Sequence, residues 1–259
     1  MVKNNLFKRT VTALILGPVV IGSIFLGFPY YIFLLLTIGA LLSWEWSNMT
    51  ASDKKDMYAV IYTLSMSVAV LLQSWFGIFI FMALCTALVF AKAKNEKHRW
   101  LLTLGVPYIS IGIGALMWFM ISLSPLAVLW LLLVVWSVDI GGYAVGKTVK
   151  GPKLAPAISP NKTWSGLAGG MALAAAVGGA FAYYVGWPDY NNYMAVAALL
   201  AVVEQIGDLI ESAIKRKVGV KDSSNLIPGH GGVFDRIDGL IFTAPVLLVC
   251  IVLYFEYIH

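Results

Sequence analysis

Between Ser212 and Asp238 the chain reads SAIKRKVGVKDSSNLIPGHGGVFDRID, placing Lys215, Arg216, Lys217, Lys221, Asp222, His230, Asp235, Arg236 and Asp238 between two long apolar runs. Carboxylates, bases and paired glycines in one loop are the groups that handle phosphates and divalent metal. Asp235 and Asp238 are spaced i, i+3 just before the chain re-enters apolar sequence at Gly239, so both can point the same way. In the run before the loop, Glu204, Asp208 and Glu211 are spaced i, i+4, i+7, on one face of a helix. Each acid costs about 2.5–3.5 kcal/mol at mid-bilayer. Like charges about 6 Å apart add roughly 3 kcal/mol per pair at an effective dielectric near 20. Protonation, salt bridges to the basic loop, exposure at the helix end or a bound cation can each offset that cost. Asp208 together with Asp235 and Asp238 supplies carboxylates from two adjacent spans. Hard oxygen ligands without thiols, and with few histidines, favour Mg²⁺. A magnesium ion held by a few carboxylates and completed by substrate phosphates is the usual phosphoryl-transfer arrangement.

Pro228-Gly229-His230-Gly231-Gly232 lies between these acids, and its glycines let backbone N–H groups converge as an anion nest. Taken alone, glycine clusters are turns and His230 is a structural hydrogen-bonder; beside the acids they suit phosphate. A second charged site closes the sixth apolar run, where Asp139, Gly142, Tyr143 and Gly146 share a helical face with small neighbours. An acid inside such a run is a functional candidate. Lys162, in Ser159-Pro160-Asn161-Lys162-Thr163-Trp164, suits either a phosphate or the anchoring of the following span. Glu45, between Trp44 and Trp46, reads as a wet acid in an interfacial aromatic belt. The glycines of the seventh run (Gly166, Gly169, Gly170, Gly178, Gly179) read as close helix packing.

The elements that must position these groups are membrane helices. The chain of 259 residues is 60% hydrophobic and 12% charged, with a mean hydropathy of +0.84; soluble domains carry roughly 25% charged residues. Nine apolar runs lack strand alternation and nearly every one is long enough to cross a hydrocarbon core, so the expected fold class is an all-α polytopic membrane protein with about nine spans. The runs are 11–28, 30–49, 57–72, 75–91, 100–122, 125–146, 166–186, 192–214 and 239–258. With the N-terminus in the cytoplasm and the C-terminus outside, all 18 Lys and Arg fall in the N-terminal tail and the even-numbered loops. That complete partition follows the positive-inside rule. The net charge of +5 then marks a basic cytoplasmic face, attracted in part to anionic lipid headgroups, and no basic-aromatic interleaving points to nucleic acid. The first run contains Pro18 and lacks a convincing cleavage site, so it reads as an uncleaved span. Cys85 and Cys250 sit alone in apolar runs and read as small buried hydrophobes. Residues 1–123 form an N-terminal set of membrane helices. Residues 124–259 form the catalytic region, with cytoplasmic loops at 147–165 and 215–238.

Three ordered motifs carry a family resemblance: Asp139…Tyr143…Gly146-Lys147; Ser159-Pro160-Asn161-Lys162-Thr163-Trp164; and Gln205-Ile206-Gly207-Asp208 running to Asp238. In these the chain resembles the bacterial CDP-diacylglycerol synthases (phosphatidate cytidylyltransferases). One departure is that the middle motif of the family reads closer to SPKKTWEG, with Asn161 and Ser165 here in place of a lysine and an acid. The resemblance implies transfer of CMP from CTP to phosphatidic acid. It implies Mg²⁺, with a monovalent cation such as K⁺ as an accessory, a homodimer, and a multi-pass protein of the plasma or inner membrane acting at the cytoplasmic face. Asp208, Asp235 and Asp238 would be the metal acids, with Lys221 and Arg236 acting on the reacting phosphates. Asp139, Tyr143, Lys162, Ser212, Lys215, Arg216, Asp222, His230, Gly231 and Gly232 would contact substrate. A CTP-dependent polyprenol- or phytol-type lipid kinase is the nearest rival. A cation-coupled transporter would also hold acids within helices, but should show two related halves, which the sequence lacks.

Overall fold

The structure is a computed structural model and describes residues 2–72, 74–227, 229 and 231–258. Among the described residues the chain forms nine α-helices: α1 (Val2–Leu26), α2 (Tyr30–Thr50), α3 (Lys55–Leu71), α4 (Trp75–Lys92), α5 (Arg99–Ser122), α6 (Pro125–Thr148), α7 (Trp164–Val185), α8 (Tyr190–Val218) and α9 (Phe234–Ile258). Each contains one of the nine apolar runs to within a few residues. Seven are long and apolar enough to cross a membrane; α3 has 17 residues, and the described apolar part of α1 is Leu14–Leu26. Helices dominate for a simple reason. In hydrocarbon every backbone N–H and C=O must be satisfied within its own segment.

Two departures from the sequence reading matter for the site. The loop after α6 is not wholly irregular. It folds into an antiparallel hairpin of β1 (Lys153–Ala155) and β2 (Ser159–Thr163), with Lys153 opposite Thr163 and Ala155 opposite Ser159. And α9 begins at Phe234, so Asp235 and Asp238 belong to its opening turns.

The chain divides into two compact units, one of residues 1–125 and 214–237, the other of residues 126–213 and 238–259. In the first, α2 and α3 pack on α5 around buried Leu42, Trp46, Tyr62, Met66, Leu102 and Ile109. Polar tips are satisfied by carbonyls of α5: Trp46 Nε1 donates to Leu101 O at 3.0 Å and Tyr62 Oη to Leu102 O at 2.8 Å. Gly105 permits the indole contact, because a Cβ there would collide with the Trp46 ring.

In the second unit α6 and α7 approach backbone to backbone, as the glycines of the seventh run suggest. A Cβ on Gly141 would stand 2.6 Å from the Gly169 carbonyl oxygen, and one on Gly170 would stand 3.0 Å from Val138 O. Trp130 Nε1 closes the far end of this seam by donating to Gly178 O at 3.0 Å. Thr163, the last residue of β2, caps α7 by accepting from Gly166 N at 3.0 Å, which fixes the hairpin to the helix it precedes.

Candidate active site

Within the second unit, α6, the hairpin, α7 and α8 line a cavity of about 570 Å³. Lys147, Lys150, Lys153 and Lys162 line it together with Asp139, Glu204 and Asp208. Such a cavity is polarised to take a ligand carrying both anionic oxygens and bound cations. Tyr143 and Asn161 are also on the wall, and Lys147 Nζ donates to Tyr143 Oη at 3.0 Å. Lys162 forms an ion pair with Asp208, whose other oxygen accepts from Ser212 Oγ at 3.2 Å. Gln205 Nε2 is buried without a hydrogen-bond partner among the described residues. A buried donor of that kind is costly unless an acceptor comes to it.

Beside the cavity, Asp208, Glu211 and Asp238 each offer a carboxylate oxygen, and these oxygens all lie within 4.8 Å of one another. Glu211 is 1% exposed and Glu204 3%. Three carboxylates this close repel by roughly 3 kcal/mol per pair at an effective dielectric near 20. The donor set is all oxygen, with no thiol or imidazole, and so fits a hard divalent cation. Asp139, Lys162, Asp208 and Asp238 also lie within electrostatic reach of Glu204. Gly239 makes room for that side chain, since a Cβ there would stand 2.7 Å from Glu204 Oε1.

The first unit holds the remaining sequence candidates. Asp235 is engaged by its own surroundings: Oδ1 takes Lys215 Nζ at 2.7 Å, and Oδ2 takes Gly232 N at 2.8 Å and Ser223 N at 2.9 Å. Gly232, from the glycine run expected to cradle a phosphate, thus donates its N–H to the protein's own Asp235. A carboxylate offers about four lone-pair sites, and these three donors occupy most of those of Asp235. Lys215 is 8% exposed and committed to this pair. Arg216 Nη1 donates to Val220 O at 2.9 Å and closes the end of α8. Lys221, Asp222 and Arg236 are exposed. Gly231 adopts a left-handed φ of +84°, and a Cβ on it would stand 2.6 Å from Asp235 Oδ2. Pro228 and His230 lie outside the described residues.

Two expectations are overturned, the first being that Cys250 is buried: it is exposed on α9. Glu45 is not a wet interfacial acid; it is fully buried. Its carboxylate accepts from Ser224 Oγ at 2.6 Å, Phe234 N at 2.7 Å, Val233 N at 2.9 Å and Ser223 Oγ at 3.0 Å. Flanking tryptophans made it resemble a belt residue, whereas its partners lie 178 to 189 positions away. Sequence reasoning also left open the roles of Glu204 and Glu211, and missed the cavity lysines at 147, 150 and 153. Their signal was proximity in sequence to Asp139 and Lys162.

A model of the Cytidylyltransferase family matches residues 7–254. The chain belongs to this family. Among curated cytidylyltransferases it is 35% identical over 261 residues to a protein of Brucella suis named phosphatidate cytidylyltransferase, covering 94% of this chain and 92% of that one. A protein of the same name from Pseudomonas aeruginosa is 36% identical over 262 residues, covering 92% of this chain and 94% of its own length. A third, from Rickettsia felis, is 32% identical over 252 residues, covering 95% and 92%. Membership in the cytidylyltransferase family thus extends over the N-terminal helices as well as the motif-bearing half from which the resemblance was read.

Proposed function

We propose that this chain transfers CMP from CTP to phosphatidic acid, giving CDP-diacylglycerol and pyrophosphate. The observation that carries this reading is the cavity in which four lysines face the acids of α6 and α8, in a chain matched along its length by phosphatidate cytidylyltransferases. A phosphate oxygen of the lipid attacks the α-phosphorus of CTP in line. The bond from that phosphorus to the bridging oxygen breaks, and pyrophosphate leaves opposite. The nucleophile is already anionic, so positioning and charge neutralisation dominate over proton transfer. Lys147, Lys150, Lys153 and Lys162 hold the triphosphate, and Gln205 Nε2 supplies a neutral donor.

Asp208, Glu211 and Asp238 would hold Mg²⁺, which when bound supplies a Lewis acid for the phosphate oxygens. Asp235, expected as a third metal acid, acts in this proposal by organising the loop with Lys215, Ser223 and Gly232. The same reading takes all nine helices as spans, with the N-terminus cytoplasmic and the C-terminus outside. It sets the reaction at the cytoplasmic face of the inner membrane, in a homodimer. The partition of Lys and Arg supports that orientation.

The test is an assay of purified protein with phosphatidic acid and Mg²⁺, run in parallel with CTP labelled in the base and CTP labelled in the γ-phosphate. Base label should become lipid-extractable while γ-label stays aqueous. The reverse pattern would make the protein a lipid kinase and overturn the proposal.

A further inference from the structure

Glu45 lies on α2, 178 residues before Ser223 and 189 before Phe234, yet its carboxylate gathers hydrogen bonds from both. Its two oxygens take four donors, two hydroxyls and two backbone amides. The amides belong to Val233 and Phe234, at the start of α9, where unpaired N–H groups and the helix dipole favour a negative charge. The fit is close. A Cβ on Gly232 would collide with both Glu45 and Ser223. The Ser223 hydroxyl, 3.0 Å from Glu45 Oε2, is also 3.1 Å from Asp235 Oδ2. Phe234 packs its ring on Trp46 at 5.4 Å between centroids, so the residue after Glu45 grips the same turn. No other carboxylate in the described part of α2 exists to do this, and nothing in the cavity chemistry uses Glu45.

We propose that Glu45 is a positioning residue for the nucleotidyl transfer: it anchors the 223–234 segment and so fixes the first turn of α9 and the Lys215–Asp235 pair. This rests on the reading that the segment before Asp238 serves the reaction. Glu45 touches no substrate; it acts through Ser223 and the α9 amides. Its contribution falls on turnover and not on nucleotide binding, because the cavity lysines belong to α6 and the hairpin.

The test compares the full-length protein with Glu45→Gln, Glu45→Asp and Ser223→Ala in one lipid environment. Hydrogen–deuterium exchange is read over residues 219–236, and kcat is expressed per nucleotide-binding site counted by CTP titration. Glu45→Gln places an amide NH₂ against backbone donors. It should speed exchange at Val233 and Phe234 at least tenfold and lower kcat per site at least twentyfold, with the KM for CTP within threefold. Glu45→Asp should recover part of the loss. Ser223→Ala, which keeps the buried acid, should lower kcat per site about fivefold and stands in for Glu45→Gln should that variant not fold. Unchanged exchange overturns the anchoring. Fewer binding sites with unchanged kcat per site overturns the positioning role and leaves a purely structural one. Should the wild-type protein not label lipid, the proposed reaction fails, and exchange alone then decides for or against the anchor.

Discussion

Lys162 on β2 forms an ion pair with Asp208 on α8, and the second oxygen of the same carboxylate accepts from Ser212 Oγ at 3.2 Å. The pair ties the hairpin to the acid-bearing helix while leaving the lysine on the cavity wall. Asp208 thus belongs to both halves of the site, the lysines that suit polyphosphate and the carboxylates that suit a cation. Asp208→Asn should lower transfer of base label by at least about a thousandfold, since it weakens both. Membrane insertion and the detergent-solubilised size profile should stay as in the wild type. Near-normal turnover in that variant would refute the role.

Removing Lys162 tests the other partner. Lys162→Met leaves Asp208 with its Ser212 contact but strips one cavity cation. A hydrogen bond to a charged group is worth about 1.5–3 kcal/mol, so kcat/KM for CTP should fall about tenfold to a hundredfold. Steady-state kinetics with saturating phosphatidic acid measures it. Lys150→Ala and Lys153→Ala should raise the KM for CTP in the same direction, whereas Lys217→Ala, outside the cavity lining, should not.

The acids of α8 were legible in the sequence because helix periodicity is strict: positions 204, 208 and 211 can only share a face once the run is helical. The nine helical segments were legible for a similar reason, since long apolar runs without strand alternation read as helices, seven of them long and apolar enough to cross a membrane. The hairpin was not, because Lys153–Thr163 carries prolines and lysines with no alternation of apolar residues to betray strands. Its pairing is local and held by Thr163 and Ser165 at the α7 start. Glu45 was least legible. Local context gives tryptophan neighbours, and only the folded chain brings the amides of Val233 and Phe234 to it. Asp235 shows the same limit from the other side: its spacing to Asp238 suggested a shared ion, whereas its donors come from Lys215, Ser223 and Gly232.

Metal removal separates the acids. Chelation should abolish transfer and added Mg²⁺ should restore it. Losing even an outer-shell partner of a bound metal costs about tenfold to a hundredfold in affinity. Asp238→Asn and Glu211→Gln should therefore raise the Mg²⁺ concentration for half-maximal activity by at least that much. Asp235→Asn should instead lower kcat while shifting the Mg²⁺ requirement less than threefold, because its oxygens are engaged within the loop. An equal Mg²⁺ shift in all three variants would return Asp235 to the metal set.

Glycine substitutions distinguish space from backbone strain. At Gly232 an added methyl meets the Ser223 hydroxyl and the Glu45 carboxylate. Neither can retreat without giving up hydrogen bonds to the α9 turn. Overpacking of this kind costs about 1–3 kcal/mol. Gly232→Ala should therefore lower the thermal unfolding midpoint and also reduce kcat per nucleotide site. At Gly186, which ends α7 with a left-handed φ of +78°, an added Cβ meets nothing within 4 Å. The cost there is conformational, about 1–2 kcal/mol, and Gly186 does not line the cavity. Gly186→Ala should lower the midpoint by a comparable amount with kcat per site unchanged. Thermal unfolding followed by size-exclusion fluorescence, paired with CTP titration and turnover, reads both. Equal losses of turnover in the two variants would mean that activity tracks stability alone, and that the packing around Gly232 has no catalytic consequence.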